Sequence, residues 1–117
     1  MNVAVVQGRL SSEPRVTELA SGDRLVRYEI TVSRDDASAD SVPVAWFGPV
    51  ASCPPTDLER GTEVVAVGRV RRRWFQVPGG PSRSSTELLA DAVLEASDRR
   101  RARMAIRRAA ASLGADP

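Results

Sequence analysis

One stretch, GTEVVAVGRVRRRWF at residues 61–75, decides most of what this sequence predicts about the fold. Its first half is rich in β-branched apolar residues, which predicts a buried β-strand. Its second half carries four arginines and ends in Trp74-Phe75. Such a strand packs a core at one end and offers guanidinium groups and flat rings at the other. Cations beside exposed rings suit single-stranded nucleic acid, because cations meet phosphates and rings stack on unpaired bases.

The composition describes one small domain with a tail and excludes several kinds of function. At 117 residues, of which 42% are hydrophobic, the chain is long enough for one core but not for two domains. It contains no histidine, so histidine acid–base chemistry and the commonest metal ligand are absent. Its acidic residues never converge by spacing, which gives paired-carboxylate catalysis no support. We therefore expect a protein that is not an enzyme and that uses no metal or other cofactor.

The sequence also predicts a cytoplasmic protein without membrane contact. No apolar run approaches the roughly 20 residues of a membrane span. Residues 1–6 lack the basic and apolar regions of a signal peptide. The single cysteine, Cys53, excludes an internal disulfide and suits a reducing compartment.

The basic residues are all arginine, and they are unevenly distributed. The net charge is +2 over the whole chain, from 17 arginines and 15 acids. Residues 1–97 hold 11 arginines and 13 acids, whereas residues 98–117 hold 6 arginines and 2 acids. The absence of lysine is explained by codon bias, by the better fit of arginine to phosphates and base planes, or by both. Any anion site on the first 97 residues must be a local stripe, because that region is slightly acidic overall.

The order of strand and turn signals predicts an all-β fold. Five strands are expected at residues 3–10, 24–34, 42–47, 61–75 and 84–94, with a short extended piece at 15–19. Residues 49–60 form the irregular stretch long enough for a short helix, between the third and fourth strands. Short strands, turns rich in glycine and proline, and one helical interruption at that place are typical of the five-stranded OB-fold barrel.

The chain changes character near residue 97. From Asp98 the apolar residues follow the i, i+3, i+4 spacing of a helix, with arginines on the other faces. This apolar face consists of Ala102, Ala105, Ile106, Ala109, Ala110 and Leu113. Asp98 is the expected N-cap and Gly114 the expected end. We divide the chain into an OB-fold domain at 1–96 and a basic C-terminal helix or tail at 97–117.

Residues 2–94 resemble the bacterial single-stranded DNA-binding protein family. The resemblance is carried by short pieces in the family's order: NV and VVQGRL at 2–10, EPR at 13–15, Gly22 before the alternating strand, WFG at 46–48, GTEV, GRV and the arginine run within 61–75, and TELLAD at 86–91. Their order and spacing together make the resemblance specific.

The resemblance implies an OB-fold that forms a homo-oligomer, a tetramer or a dimer, and wraps single-stranded DNA without sequence preference. It also implies a role in replication, recombination or repair, contact with proteins of those pathways, and a place with the bacterial nucleoid. In that family, aromatic residues on three strands and their loops stack on bases. Position by position, this assigns DNA contact to the pairs Trp46-Phe47 and Trp74-Phe75. Neighbours on a strand point to opposite faces, so we expect one of each pair in the interface, and the sequence leaves open which one.

Six arginines complete the predicted DNA-binding surface. Arg69, Arg71 and Arg73 share one face of their strand by period two, and we expect them to contact phosphates. Arg9, Arg27 and Arg34 are further candidates, although a solvated ion pair is an alternative for Arg27.

The sequence departs from the family where aromatic residues are common. Arg34, Asp35 and Ser41 stand at those places, in a short acidic loop. Each base–aromatic stack contributes about 1–3 kcal/mol, so we expect weaker binding. The basic residues 98–117 also stand where the family has an acidic tail that recruits other proteins. Two alternatives therefore stay open: an OB-fold interaction module of a replication or primosome complex with weak DNA binding, and an RNA-binding OB domain.

Overall fold

The chain folds into six β-strands followed by one α-helix in the computed structural model, which describes residues 1–111. The strands are β1 (Ala4–Leu10), β2 (Arg15–Glu18), β3 (Asp23–Ser33), β4 (Ala39–Pro49), β5 (Glu63–Gln76) and β6 (Ser82–Glu95). One turn of 3₁₀ helix, Val50–Ser52, follows β4, and the helix α1 (Arg99–Ala110) follows β6.

The sheet closes on itself through β1. Its strands run in the order β1-β5-β6-β4-β3-β2, and β1 also pairs with β3. The second pairing joins Arg9 to Thr31 and Leu10 to Ile30, just after β1 has paired with β5. Gly8 lies at this closure, where an added Cβ atom would stand 2.4 Å from the Thr31 carbonyl oxygen. The predicted OB-fold barrel is confirmed.

Two details differ from the prediction. The short piece predicted at residues 15–19 is a sixth strand, β2, because it pairs with β3 from Arg15 opposite Arg27 to Glu18 opposite Arg24. The predicted helical segment within residues 49–60 is reduced to the single 3₁₀ turn. Pro54-Pro55 comes directly after Cys53, and proline disfavours helix both in the residue before it and at its own nitrogen.

The core lies inside the barrel, between the inward faces of the strands. It includes Val26, Tyr28 and Ile30 of β3 and Val64 and Ala66 of β5, all of them buried. The Tyr28 hydroxyl donates a hydrogen bond to the Pro55 carbonyl oxygen at 2.8 Å. This bond anchors the segment between β4 and β5, which has little regular structure of its own.

The helix α1 packs against the outside of the barrel. Its N-cap is Asp98, as predicted, with the carboxylate accepting from the Arg101 backbone N–H at 3.4 Å. Ala102 is buried against Val65, Val67 and Leu94. Ala105 and Ala109 pack beside it, whereas Ile106 and Ala110 of the predicted face are exposed. The predictions for Leu113 and Gly114 lie outside the described residues.

Candidate nucleic-acid interface

The second half of β5 continues past the barrel as a two-stranded ribbon with β6, and its side chains alternate between two faces. Arg69, Arg71, Arg73 and Phe75 lie on one face, opposite Leu89, Glu87, Ser85 and Arg83 of β6. The Arg73 guanidinium lies 5.4 Å from the centre of the Phe75 ring on this face. On the other face, Arg72 lies 5.9 Å from the centre of the Trp74 ring.

A β-bulge sets the direction of this ribbon. Val67 pairs with Ala92 and Gly68 pairs with Ala90, which leaves Asp91 as the extra residue of β6. An added Cβ atom on Gly68 would stand 2.1 Å from the Leu89 carbonyl oxygen, so only glycine fits there. Bulges bend and twist the strands that carry them. The bulge therefore marks the point where the arginine-bearing ribbon leaves the barrel wall.

An open groove runs across the outer surface between this ribbon and the strands β3 and β4. It has a volume of about 580 Å³. Its apolar lining includes Leu25, Phe47 and Leu89, and its cationic lining consists of Arg27, Arg69 and Arg71. We refer to this surface, together with the adjoining Arg73 and Phe75, as the groove.

One buried acid holds the groove arginines in place. The Glu87 side chain is only 2% exposed and faces three guanidinium groups. Arg71 donates to Glu87 Oε2 from Nε at 3.0 Å and from Nη2 at 2.9 Å. Arg73 Nε lies 3.2 Å from Oε1, and Arg27 Nη1 lies 4.0 Å from the same oxygen. A carboxylate this deeply buried is tolerated because cations surround it.

The guanidinium groups nevertheless keep capacity for a further anion. The side chains of Arg27, Arg71 and Arg73 are each about 40% exposed. The Arg73 Nε atom is itself buried beside Glu87, so the exposed part of the Arg73 guanidinium is what remains for an anion. Arg69 makes no ion pair within residues 1–111. With Glu87 and Asp91 counted against the four arginines, the groove keeps a net charge of +2.

The structure separates the first aromatic pair as the alternation requires. Phe47 is 55% exposed and lines the groove, opposite Leu25 of β3. Trp46 is only 5% exposed and belongs to the core. We therefore correct the prediction for Trp46, because a ring inside the barrel is inaccessible to a base.

The second aromatic pair is exposed on both faces of the ribbon. Phe75 is 38% exposed on the groove face, beside Arg73. Trp74 is 65% exposed but lies on the opposite face of the ribbon. The structure brings Phe47 and Phe75 to one surface and leaves Trp74 outside it.

Two predicted arginines lie away from the groove and are engaged elsewhere. Arg34 pairs with Asp40 across the β3–β4 hairpin, with Nε 3.0 Å from Oδ2. The Arg34 guanidinium lowers the pKa of the Asp40 carboxyl below its ordinary value. Arg9 lies on the outside of β1 and donates to the Gly61 carbonyl oxygen at 3.5 Å. Of the six predicted arginines, the groove brings together Arg27, Arg69, Arg71 and Arg73.

Sequence reasoning missed the acid that organises the site. In the sequence, Glu87 stands out only as part of the TELLAD piece, because its position opposite Arg71 depends on the β5–β6 register. The apolar lining residues Leu25 and Leu89 were also missed. The sequence shows the alternation within each of their strands, but it does not show which strands become neighbours across the groove.

Neither a metal centre nor a membrane-spanning helix is found among the described residues 1–111. Among residues 1–111, no three histidine, cysteine or acidic side chains are grouped so that they could hold a metal ion. Within the same range, no helix has the length and apolar character needed to cross a membrane.

Comparison with known proteins gives one consistent result. The model of the single-strand binding protein family matches residues 1–95. The chain is 31% identical over 100 residues to the single-stranded DNA-binding protein of Thermotoga maritima, covering 79% of this chain and 71% of that protein. It is 27% identical over 99 residues to the single-stranded DNA-binding protein of Clostridium tetani, covering 80% of this chain and 68% of that protein. With the barrel and its cationic, aromatic groove, these matches establish that the chain belongs to the single-strand binding protein family.

Proposed function

We propose that the protein binds single-stranded DNA without sequence preference by laying the strand along the groove, in the service of replication, recombination or repair. Family membership supports the choice of ligand. The observation that carries the mechanism is that Arg27, Phe47, Arg69 and Arg71 line one cavity, and that Arg73 and Phe75 follow on the same face of β5.

The arginines neutralise phosphates. Each guanidinium has five N–H donors, and Arg71 gives two of its donors to Glu87. The side chains of Arg27, Arg71 and Arg73 are each about 40% exposed, and their exposed N–H groups are the proposed donors to phosphate oxygens. Arg69 adds a guanidinium that forms no ion pair within residues 1–111, although Asp91 lines the groove beside it. Glu87 fixes the guanidinium positions in advance, which reduces the entropy lost when DNA binds.

The aromatic rings hold the bases. Phe47 and Phe75 offer flat faces, and any base can stack on them, which explains binding without sequence preference. Leu25 and Leu89 provide an apolar floor between the rings and the arginines. The DNA-contacting set that we propose is therefore Arg27, Phe47, Arg69, Arg71, Arg73 and Phe75.

We also propose that the protein acts as a homo-oligomer. The edge of β1 from Ala4 to Gly8 that faces away from β5 has no strand partner in the described chain. Val5 of the same strand and Val3, which comes just before it, are both exposed. An unpaired edge beside exposed apolar side chains suits pairing with a second copy. Assembly would multiply the DNA contacts by keeping several grooves on one strand.

The remaining features of the proposal follow from the ligand. The family consists of binding proteins, and we propose no catalytic step for this member. Single-stranded DNA is exposed at the bacterial nucleoid, so we propose that the protein works there in the cytoplasm, beside replication and repair proteins. We keep the division into a domain at 1–96 and a basic segment at 97–117.

The test is a titration of labelled oligo-dT with the intact protein across a series of salt concentrations. If the four groove arginines each meet a phosphate, the logarithm of the affinity should fall with the logarithm of salt with a slope of about −3. Matched RNA and duplex DNA serve as competitors. Tighter binding of RNA would favour the RNA-binding alternative. No binding of DNA at low salt would overturn the proposal, and failure to bind labelled RNA as well would favour the interaction module.

A further inference from the structure

We propose that α1 is a second part of the DNA-binding surface, and that Arg108 receives the single strand where it leaves the groove. The proposal rests on the function proposed above and concerns a segment beyond residues 1–95, which the family match covers. The occupant is the same strand of DNA that fills the groove.

The outer face of β5 is continuous from the helix to the groove. Val65 and Val67 lie under α1, and the next residues on the same face are Arg69 and Arg71 of the groove. The outer face of β5 therefore connects the surface under α1 with the groove. A polymer that follows β5 out of the groove meets the helix next.

A second cavity occupies the junction between the groove and the helix. Its volume is about 340 Å³. Arg69 and Asp91 line both this cavity and the groove, while Ala105, Arg108 and Ala109 line it from the helix side. The two cavities thus meet at Arg69, with Arg108 on the far side of the second one.

The charge of the helix suits a polyanion. Six arginines lie between Arg99 and Arg108, and α1 itself contains no acidic residue. The capping residue Asp98 lies 3.8 Å from Arg101 through Oδ2 and Nη1. Arg108 has no ion pair within residues 1–111. A guanidinium without a carboxylate partner, next to a cationic groove, is a site for phosphate.

The arginines of α1 are not equivalent. Arg101 and Arg108 flank the side of the helix that faces Ala92 and Leu94 of β6. Arg103 and Arg107 lie with Arg99 and Arg100 on the side turned to solvent. A general electrostatic attraction would depend equally on both groups. A defined path from the groove depends on Arg108 and much less on Arg103, which gives the proposal a direct test within one helix.

The experiment compares Arg108→Gln with the matched control Arg103→Gln, each of which removes one exposed charge from the same helix. Affinities for oligo-dT of about 4 to 16 nucleotides, the range of sites for one OB fold, are measured across a salt series. Far-UV circular dichroism checks that the helix is kept. For the longer oligonucleotides, Arg108→Gln should lower the salt slope by about 0.7, the value for one phosphate contact on single strands. The ratio of the variant's affinity to the wild-type affinity should therefore fall about fivefold when the salt concentration is lowered from 1 M to 0.1 M.

The results separate this proposal from the function on which it rests. The shortest oligonucleotides fill only the groove, so both variants should bind them like the wild type. Equal losses of oligo-dT affinity for Arg108→Gln and Arg103→Gln would overturn the proposal. So would an Arg108→Gln variant that binds oligo-dT of every length like the wild type. A change in oligomer mass with unchanged DNA affinity would assign α1 to assembly instead. If the wild type itself fails to bind any oligonucleotide, the groove proposal fails rather than this one.

Discussion

At the scale of single residues, the organising feature is the buried carboxylate of Glu87. A lone acid in the proposed DNA-binding surface would repel phosphates, yet this one is surrounded by Arg27, Arg71 and Arg73. Without it, three guanidinium groups would repel one another and spread into solvent. Glu87 therefore contributes order at the cost of one negative charge in the groove.

Substitution of Glu87 separates these two contributions. Glu87→Gln keeps the size of the side chain and removes its charge. We expect the free energy of unfolding to fall by about 1–3 kcal/mol, because charge-assisted hydrogen bonds to Arg71 weaken. Affinity for oligo-dT at low salt should rise about two- to tenfold, because the arginines lose their competing anion. Chemical denaturation and anisotropy titration measure the two effects, and a fall in both quantities would contradict the account.

Tyr28 gives a prediction about alkaline pH. Burial raises the pKa of its hydroxyl above the ordinary value, and the nearby Cys53 adds to the shift. A pKa raised on folding contributes stability that is complete below the unfolded value near 10 and is lost as pH rises above it. Tyr28 is the one tyrosine of the chain, so the ultraviolet absorbance of tyrosinate reports on it alone.

We expect tyrosinate to appear only together with unfolding, and the free energy of unfolding to decline above about pH 10. Tyr28→Phe should remove most of that decline and cost about 0.5–1.5 kcal/mol at neutral pH, because the bond to Pro55 is lost. Ionisation of Tyr28 in the folded protein near pH 10 would show that the ring is not buried as described.

At the scale of elements, alternation along the strands was predictable and register was not. The sequence predicted that Arg69, Arg71 and Arg73 share a face, and the structure confirms this through their pairing with β6. It also predicted that Trp46 and Phe47 point to opposite faces. Which of the two faces outward depends on the direction in which β4 packs, and that follows from its pairing with β3 and β6.

The edge of β1 gives a prediction about assembly. The double variant Val3→Arg and Val5→Arg places two charges at the start of that strand, one just before it and one on its exposed side. Since both side chains are exposed, the fold should survive, whereas pairing of two β1 edges should be blocked by repulsion. Native mass spectrometry should show the mass of a single chain for the variant and a multiple of it for the wild type. Equal masses would remove β1 from the interface.

At the scale of the whole molecule, the barrel brings together residues that are distant in the sequence. Arg27, Phe47 and Arg71 line one groove only because β3, β4, β6 and β5 are neighbours in the closed sheet. The spacing of strands and turns was enough to predict the OB-fold. It was not enough to exclude Arg9 and Arg34 from the groove, because their distance from it depends on where the barrel closes and where the hairpin projects.

The central claim is that DNA occupies the groove face of the β5–β6 ribbon, and adjacent residues on opposite faces test it most directly. The measurement is the affinity of Phe75→Ala and of Trp74→Ala for the same oligo-dT, at one salt concentration. Loss of the Phe75 ring should weaken binding by about 1–3 kcal/mol, the contribution of one base stack. Loss of the larger and more exposed Trp74 ring should leave the affinity nearly unchanged. The account is contradicted if Trp74→Ala weakens binding as much as Phe75→Ala or more.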